Sequence, residues 1–256
     1  MRNDIIAIVC PDVHGRTFWK EIAEEYDGSV PFIFLGDYLD PYPHEGITVE
    51  DAELNFHELW EFIEKWDNVI PLLGNHDLSY LDKSFRCCRY SWHNAMWYPE
   101  FLRENWEKFK FAYQIKNDGK TFLMSHAGVH PEWLKQNDFE QIYDADYINS
   151  LYTASKLSFA DLSSYRGGGF WETGSPVWAD IREYNDFKEN PDKSIAIPSN
   201  LIQIIGHTQL ENGFINVDNV YDIDSRQVFV ITKDNKVEAY KKKEDSTVLF
   251  LININY

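Results

Sequence analysis

Ile5-Ile6-Ala7-Ile8-Val9-Cys10-Pro11-Asp12-Val13-His14-Gly15 decides the reading of this chain. The run Ile5–Cys10 is apolar and rich in β-branched side chains, so it reads as a buried strand. It gives way at once to an acid, an imidazole and a glycine. The same change recurs along the chain. Pro31–Leu35 (PFIFL) leads into Gly36-Asp37-Tyr38-Leu39-Asp40, and Val69–Leu73 (VIPLL) into Gly74-Asn75-His76-Asp77. Thr121–Met124 (TFLM) leads into Ser125-His126-Ala127-Gly128, and Leu201–Ile205 (LIQII) into Gly206-His207-Thr208. Thr17–Tyr26 reads as a short helix between the first two strands. Glu50–Trp66 reads as a longer one, with Leu54, Leu59, Phe62, Ile63 and Trp66 on its apolar face. Strands alternating with helices predict an α/β fold built from βαβ units. In such sheets ligands gather beyond the carboxyl ends of the strands, where all five polar clusters fall.

Further along, the texture changes. Val228–Thr232, Val237–Tyr240 and Thr247–Ile254 read as strands, with Lys233-Asp234-Asn235-Lys236 as a turn between the first two. They predict an antiparallel element added to the sheet system. Two stretches break the alternation. Phe85–Tyr113 holds 10 aromatics in 29 residues, and His130–Trp178 carries the Gly167-Gly168-Gly169 run, a possible hinge. Both are candidates for material laid over a site, although aromatics singly fill cores more often. The expected organisation is one domain over 1–256, with insertions at about 84–116 and 130–178 and C-terminal strands at about 215–256.

The chain has 256 residues, with 42 Asp+Glu against 24 Lys+Arg and a net charge of −18. Its hydrophobic content of 44% excludes a disordered chain. The acidity argues against nucleic acid duplexes, whose phosphates need a basic face, and against docking on anionic lipid. Three cysteines, two of them adjacent, are no disulfide framework and point to a reducing compartment. The first apolar run is too short for a signal or a membrane span, so the expected location is cytoplasmic.

The clustered residue types suit metal ions. Asp12 and His14 are two apart, so in extended chain they point the same way. Asp37 has two carboxylate oxygens and can bridge two ions. Asn75 offers a carbonyl oxygen, and His126 and His207 offer imidazoles. Mixed nitrogen and oxygen donors suit Mn²⁺, Fe, Zn²⁺ or Co²⁺ better than Ca²⁺; two divalent ions are expected, Mn²⁺ foremost, with Fe, Zn²⁺, Co²⁺ or Ni²⁺ as alternatives. His44, His57 and His93 lie in no such cluster, and His130 is a weaker candidate for substrate contact.

In this order the motifs resemble the calcineurin-like metallophosphoesterase superfamily, from Asp12 to about Thr208. The resemblance implies a β-sandwich of two mixed sheets flanked by helices, with aromatic-rich insertions near the active site and a two-metal centre at one edge. Asp12, His14 and Asp37 would hold the first ion. Asp37 would bridge to the second, which Asn75, His126 and His207 would complete. His76 would act as general acid or orienting imidazole, paired with Asp40, while a metal-bridging hydroxide attacks phosphorus. Asp12-Val13-His14-Gly15, Ser125–Gly128 and Gly174-Ser175-Pro176-Val177-Trp178-Ala179-Asp180 are similar to the serine/threonine protein phosphatase and diadenosine tetraphosphatase branch. So is Gln209, where many superfamily members carry a further His. The pattern departs at Pro41, where protein phosphatases place an Arg that holds phosphate. Arg16, Arg166 and Arg182 are the candidate substitutes. The implied activity is hydrolysis of phosphate monoesters or nucleotide polyphosphates, on a small phosphorylated compound or a phosphoprotein. The alternatives are a phosphodiesterase and an inactive metal-binding scaffold.

Overall fold

The computed structural model describes residues 2–82, 85, 87–166, 169–189 and 197–241. Gly167, Gly168 and the strand expected over 247–254 lie outside them. The first sheet begins with β1 (Ile5–Cys10), β2 (Phe32–Phe34) and β3 (Val69–Pro71), which run parallel. Their crossovers carry α1 (Lys20–Glu25) and α2 (Val49–Lys65), the βαβ arrangement read from the alternation. α3 (Asn75–Leu81) follows β3 almost directly, and α4 (Tyr98–Glu104) comes next. β4 (Ala112–Asn117) and β5 (Lys120–Ser125) then form an antiparallel hairpin that opens the second sheet. After α5 (Pro131–Gln136), α6 (Ala145–Ala154) and α7 (Ile181–Glu189), β6 (Leu201–Ile205) pairs parallel to β5. β7 (Ile215–Val217) and β8 (Val220–Asp222) complete that sheet. β9 (Phe229–Thr232) and β10 (Val237–Ala239) return to the first sheet, with β9 antiparallel to β1. The strand orders are β10-β9-β1-β2-β3 and β4-β5-β6-β8-β7. This is the two-sheet α/β sandwich that the resemblance implied.

Period-2 alternation explains the packing. Ala7, Val9, Ile33 and Leu35 of the first sheet meet Phe122, Met124, Ile202 and Ile204 of the second in one buried cluster. The other face of the first sheet, Ile8, Cys10, Phe32 and Phe34, joins the core formed with Phe56, Leu59 and Ile63 of α2. Ile181 and Tyr184 of α7 pack with Ile205 and Val220 of the second sheet. Each fully buried Leu, Ile or Phe contributes roughly 1.5–3 kcal/mol relative to exposure.

The strand ends fall within a few residues of expectation. Three details differ. Of the expected apolar face of α2, Leu59 and Ile63 are buried and Phe62 and Trp66 pack against the core, but Leu54 is 63% exposed, and Ala52, Phe56 and Trp60 complete the buried side. Ala52, Phe56, Leu59, Trp60 and Ile63 recur at helical spacing, which puts Leu54 on the opposite side; the helix is entered through a capping box in which Thr48 and Asp51 exchange hydrogen bonds. α1 starts only at Lys20. β4 has no strand counterpart in the sequence reading, because its half-exposed edge position blurs the alternation. Among the described residues no helix is long and apolar enough to cross a membrane.

Candidate metal centre

The carboxyl ends of β1, β2, β3, β5 and β6 deliver Asp12, Asp37, Asn75, His126 and His207 to one edge of the sandwich. Asp12, Asp37, His126 and His207 place ligand atoms within 4.8 Å of one another, and so do His14, Asp37 and His76. Asp37 is common to both groups. Its Oδ2 is 3.5 Å from His14 Nε2 and 3.6 Å from His126 Nε2. Its Oδ1 accepts the His76 backbone N–H at 2.9 Å, one of the donors left open at the start of α3. Asp12 is divided in the same way. Its Oδ1 accepts the His207 N–H at 3.0 Å and its Oδ2 lies 4.0 Å from His14 Nε2.

Backbone carbonyls fix the imidazoles. His14 Nδ1 donates to Leu39 O at 2.8 Å, and His126 Nδ1 donates to Leu35 O at 2.9 Å. A neutral ring has one N–H, so both Nε2 lone pairs face the site. The amide of Asn75 donates through Nδ2 to Cys87 Sγ at 3.1 Å, which leaves Oδ1 facing His126 Nε2 at 2.9 Å. His207 Nδ1 is 3.1 Å from that same Nε2. Asn75 Oδ1 and the His126 Nε2 lone pair are thus acceptors facing each other, with a His207 nitrogen beside them. Two donors each about 2.0–2.2 Å from one ion lie roughly 3–4 Å apart, so this spacing suits a cation.

Electrostatics agree. Burial pushes the His14 imidazole well below its usual range, and it does the same to His207, where Arg166 and His126 add to it. Burial thus favours the neutral, ligating form of each of these two rings. Burial raises the Asp12 carboxyl, against the opposing pull of His126, and the Asp37 charge adds to the rise. Asp37 is penalised by burial too, but His126, His76 and His14 outweigh that and hold it below its usual value. Buried carboxylates crowded in this way are relieved by bound cations.

The backbone is shaped to suit. His14, Asp37, Asp40 and His207 all have positive φ, at 45°, 53°, 60° and 72°. Asp12 and His14 therefore meet through a left-handed turn, not through strand alternation as the extended-chain reading had it. A Cβ on Gly74 would come within 2.1 Å of Asp37 Oδ1, so only glycine lets α3 start this close to the carboxylate. Asp77 ties the two loops together. It accepts the N–H groups of Asp37, Gly74 and Tyr38 and the Tyr98 hydroxyl.

His76 Nδ1 is 2.8 Å from Asp40 Oδ2. Asp40 in turn accepts the Tyr80 hydroxyl, and Asn94 Nδ2 reaches it at 3.5 Å. Burial disfavours the imidazolium, but Asp37, Asp40 and the Cys88 thiol outweigh it and lift the His76 pKa to about 10. A cavity of about 320 Å³ opens over this edge, lined by Asp12, His14, Asp37, Asn75, His76 and His207 together with Tyr42, Cys88, Arg89, Leu162, Arg166 and Trp178.

The three arginines named from sequence separate. Arg16 is buried and forked onto Glu45, at 2.8 and 3.1 Å, away from the cavity lining. Arg182 pairs with Asp180 through Nε at 2.7 Å and is likewise absent from the lining. Arg166 does line it, with Nη2 2.8 Å from Thr208 Oγ1 and 3.0 Å from Asp180 Oδ2. His130 caps α5 and packs on Tyr184 outside the cavity lining, while His57 and His93 sit near Glu53 on the surface. Tyr42 and Arg89 were not singled out by sequence reasoning. Trp178 lies inside the quoted Gly174–Asp180 motif. The one signal for Arg89 is the expectation that Phe85–Tyr113 lies over the site.

The model of the calcineurin-like phosphoesterase family matches residues 7–240. Among solved structures, the chain is similar to a protein serine/threonine phosphatase from Saccharomyces cerevisiae at 15% identity, with a TM-score of 0.49, covering 94% of this chain and 81% of that one. It is also similar to a phosphopantetheinyl hydrolase from Mycobacterium tuberculosis at 12% identity, with a TM-score of 0.35, covering 88% and 89%. No curated protein matches this chain.

Proposed function

The chain belongs to the calcineurin-like phosphoesterase family, and from that premise we propose that it hydrolyses phosphate monoesters or nucleotide polyphosphates with two divalent ions at this edge. Asp12, His14 and Asp37 hold one ion in this reading, and Asp37, Asn75, His126 and His207 hold the other. The observation that carries it is the Asp37 carboxylate, whose Oδ2 stands about equally far from His14 Nε2 and His126 Nε2, at 3.5 and 3.6 Å. Bound there, two divalent ions would lower the pKa of water and offset charge on phosphoryl oxygens.

The chain's own groups do the rest. Asp40 holds Nδ1 of His76, so that Nε2 faces the cavity and can hand a proton to the leaving oxygen. Tyr80 and Asn94 hold Asp40 in turn. Tyr42, Leu162 and Trp178 give the cavity apolar walls that suit an aryl or nucleobase leaving group. Gln209 is exposed and adds no ligand to the set, which on the resemblance counts against the diesterase reading.

The test is a paired rate measurement with Mn²⁺ on p-nitrophenyl phosphate and bis(p-nitrophenyl) phosphate. Faster monoester turnover is the expected result. Faster diester turnover would replace the reading with a phosphodiesterase. Two bound ions without turnover of either ester would leave a metal-binding scaffold.

A further inference from the structure

Two guanidinium groups line the cavity, and they differ in charge balance. Arg166 is paired with Asp180, 3.0 Å away, a carboxylate it shares with Arg182. Arg89 makes no ion pair among the described residues. Its Nε donates to the Asp40 carbonyl at 3.0 Å and its Nη1 to Cys88 Sγ at 3.2 Å. Its Nη2 stands 3.3 Å from His14 Nε2 and 3.3 Å from His76 Nε2. The guanidinium lies over Tyr42, with its carbon 3.7 Å from the ring centroid. Stacking and the Nε hydrogen bond fix the plane of the group and turn its outer nitrogens inward. A fixed cation with no ion-pair partner among the described residues, its outer nitrogens turned into the cavity, has the chemistry of an anion subsite.

We propose that Arg89 is the side chain that receives the phosphate group of the substrate. The anion's being a substrate phosphate rests on the phosphoesterase reading above; the anion subsite itself does not. Arg89 comes from the loop after α3 and does the work that the resemblance would give to an Arg at position 41. The loop is tied to the dyad it serves. The Ser91 N–H donates to the Tyr80 hydroxyl oxygen at 2.9 Å, and that hydroxyl donates to Asp40. Tyr90 stacks on Tyr80 with ring centroids 4.6 Å apart. A phosphate accepting from the Arg89 fork would also lie within reach of His76 Nε2, the proposed proton donor. One loop thus sets both the grip on the anion and its distance from the acid.

The experiment compares wild type, Arg89→Ala and Arg89→Lys, each loaded with Mn²⁺. Inorganic phosphate binding is measured by calorimetry, KM and kcat are measured on p-nitrophenyl phosphate, and bound metal by elemental analysis. A lost charge-assisted contact predicts ~10–100-fold weaker phosphate binding and a matching rise in KM for Arg89→Ala. Metal content should be unchanged. Arg89→Lys should recover part of the loss, since it keeps the charge without the fork. Phosphate affinity in Arg89→Ala within about twofold of wild type would overturn the proposal. So would tighter metal binding with unchanged phosphate affinity, which would make Arg89 a competitor of the ions. A wild type that binds phosphate through Arg89 yet hydrolyses neither ester would uphold the subsite and sink the phosphoesterase reading.

Discussion

At Asp37 the backbone turns left-handed, and it does so again at His14, Asp40 and His207. Such a conformation costs a non-glycine residue roughly 1–2 kcal/mol, so it persists only where neighbours enforce it. At Asp37 the enforcing group is Asp77, which accepts the Asp37 N–H at 2.9 Å and the Gly74 N–H at 2.8 Å. Asp77→Ala would leave those donors buried without acceptors. Its expected cost is about 3–5 kcal/mol in urea denaturation. Burial and the Asp37 charge lift the Asp77 carboxyl to about 7, so Asp77→Asn should cost less than Asp77→Ala. At His76 the expectation is kinetic. His76→Asn should lower kcat ~10²–10⁴-fold with bound metal unchanged, and a kcat equal to wild type would remove the ring from the chemistry.

Elements carried most of what the sequence made legible. An apolar run that ends in Asp, His or Asn is a local pattern, so all five such strands and the edge they share could be read without coordinates. α2 was read with the right span but an imprecise face. Ala52, Phe56, Leu59, Trp60 and Ile63 recur at helical spacing on the buried side, which puts Leu54 opposite them, in solvent. Leu54→Glu should therefore change stability by no more than about 0.5 kcal/mol, whereas Leu59→Ala should cost about 2–5 kcal/mol in the same denaturant titration. Arg89 was not legible for a different reason. Its place depends on Tyr42 and Asp40, contacts made between loops far apart in sequence. Arg16 and Arg182 were plausible by sequence proximity, but Glu45 and Asp180 claim them.

For the whole molecule, acidity and burial combine into a dependence on pH. Burial raises the Glu183 carboxyl from 4.5 to about 7, although it accepts the backbone N–H groups of Gly174 and Asp180. The folded chain keeps a proton that the unfolded chain gives up between those two values. Stability therefore falls as pH rises through that window and stays lower above it. Glu183→Gln should flatten the fall in Tm between pH 5 and pH 8, in calorimetry near ~0.1 M salt. Metal removal adds a second dependence. Ions that bind only the folded state stabilise it by about 2.7 kcal/mol at a hundredfold excess over Kd. Chelation should thus lower Tm by several degrees, and an unchanged Tm would count against bound ions.

The two sheets contribute unequally to the edge that gathers these side chains. Asp12, Asp37 and Asn75 follow strands of one sheet, and His126 and His207 follow strands of the other. An ion shared between them would be a staple across the seam of the sandwich. Its grip would oppose the layers parting, and so would act on how long a molecule stays folded as well as on how often. Two preparations with the same sequence and shape would then age at different rates, set by the free metal in the tube.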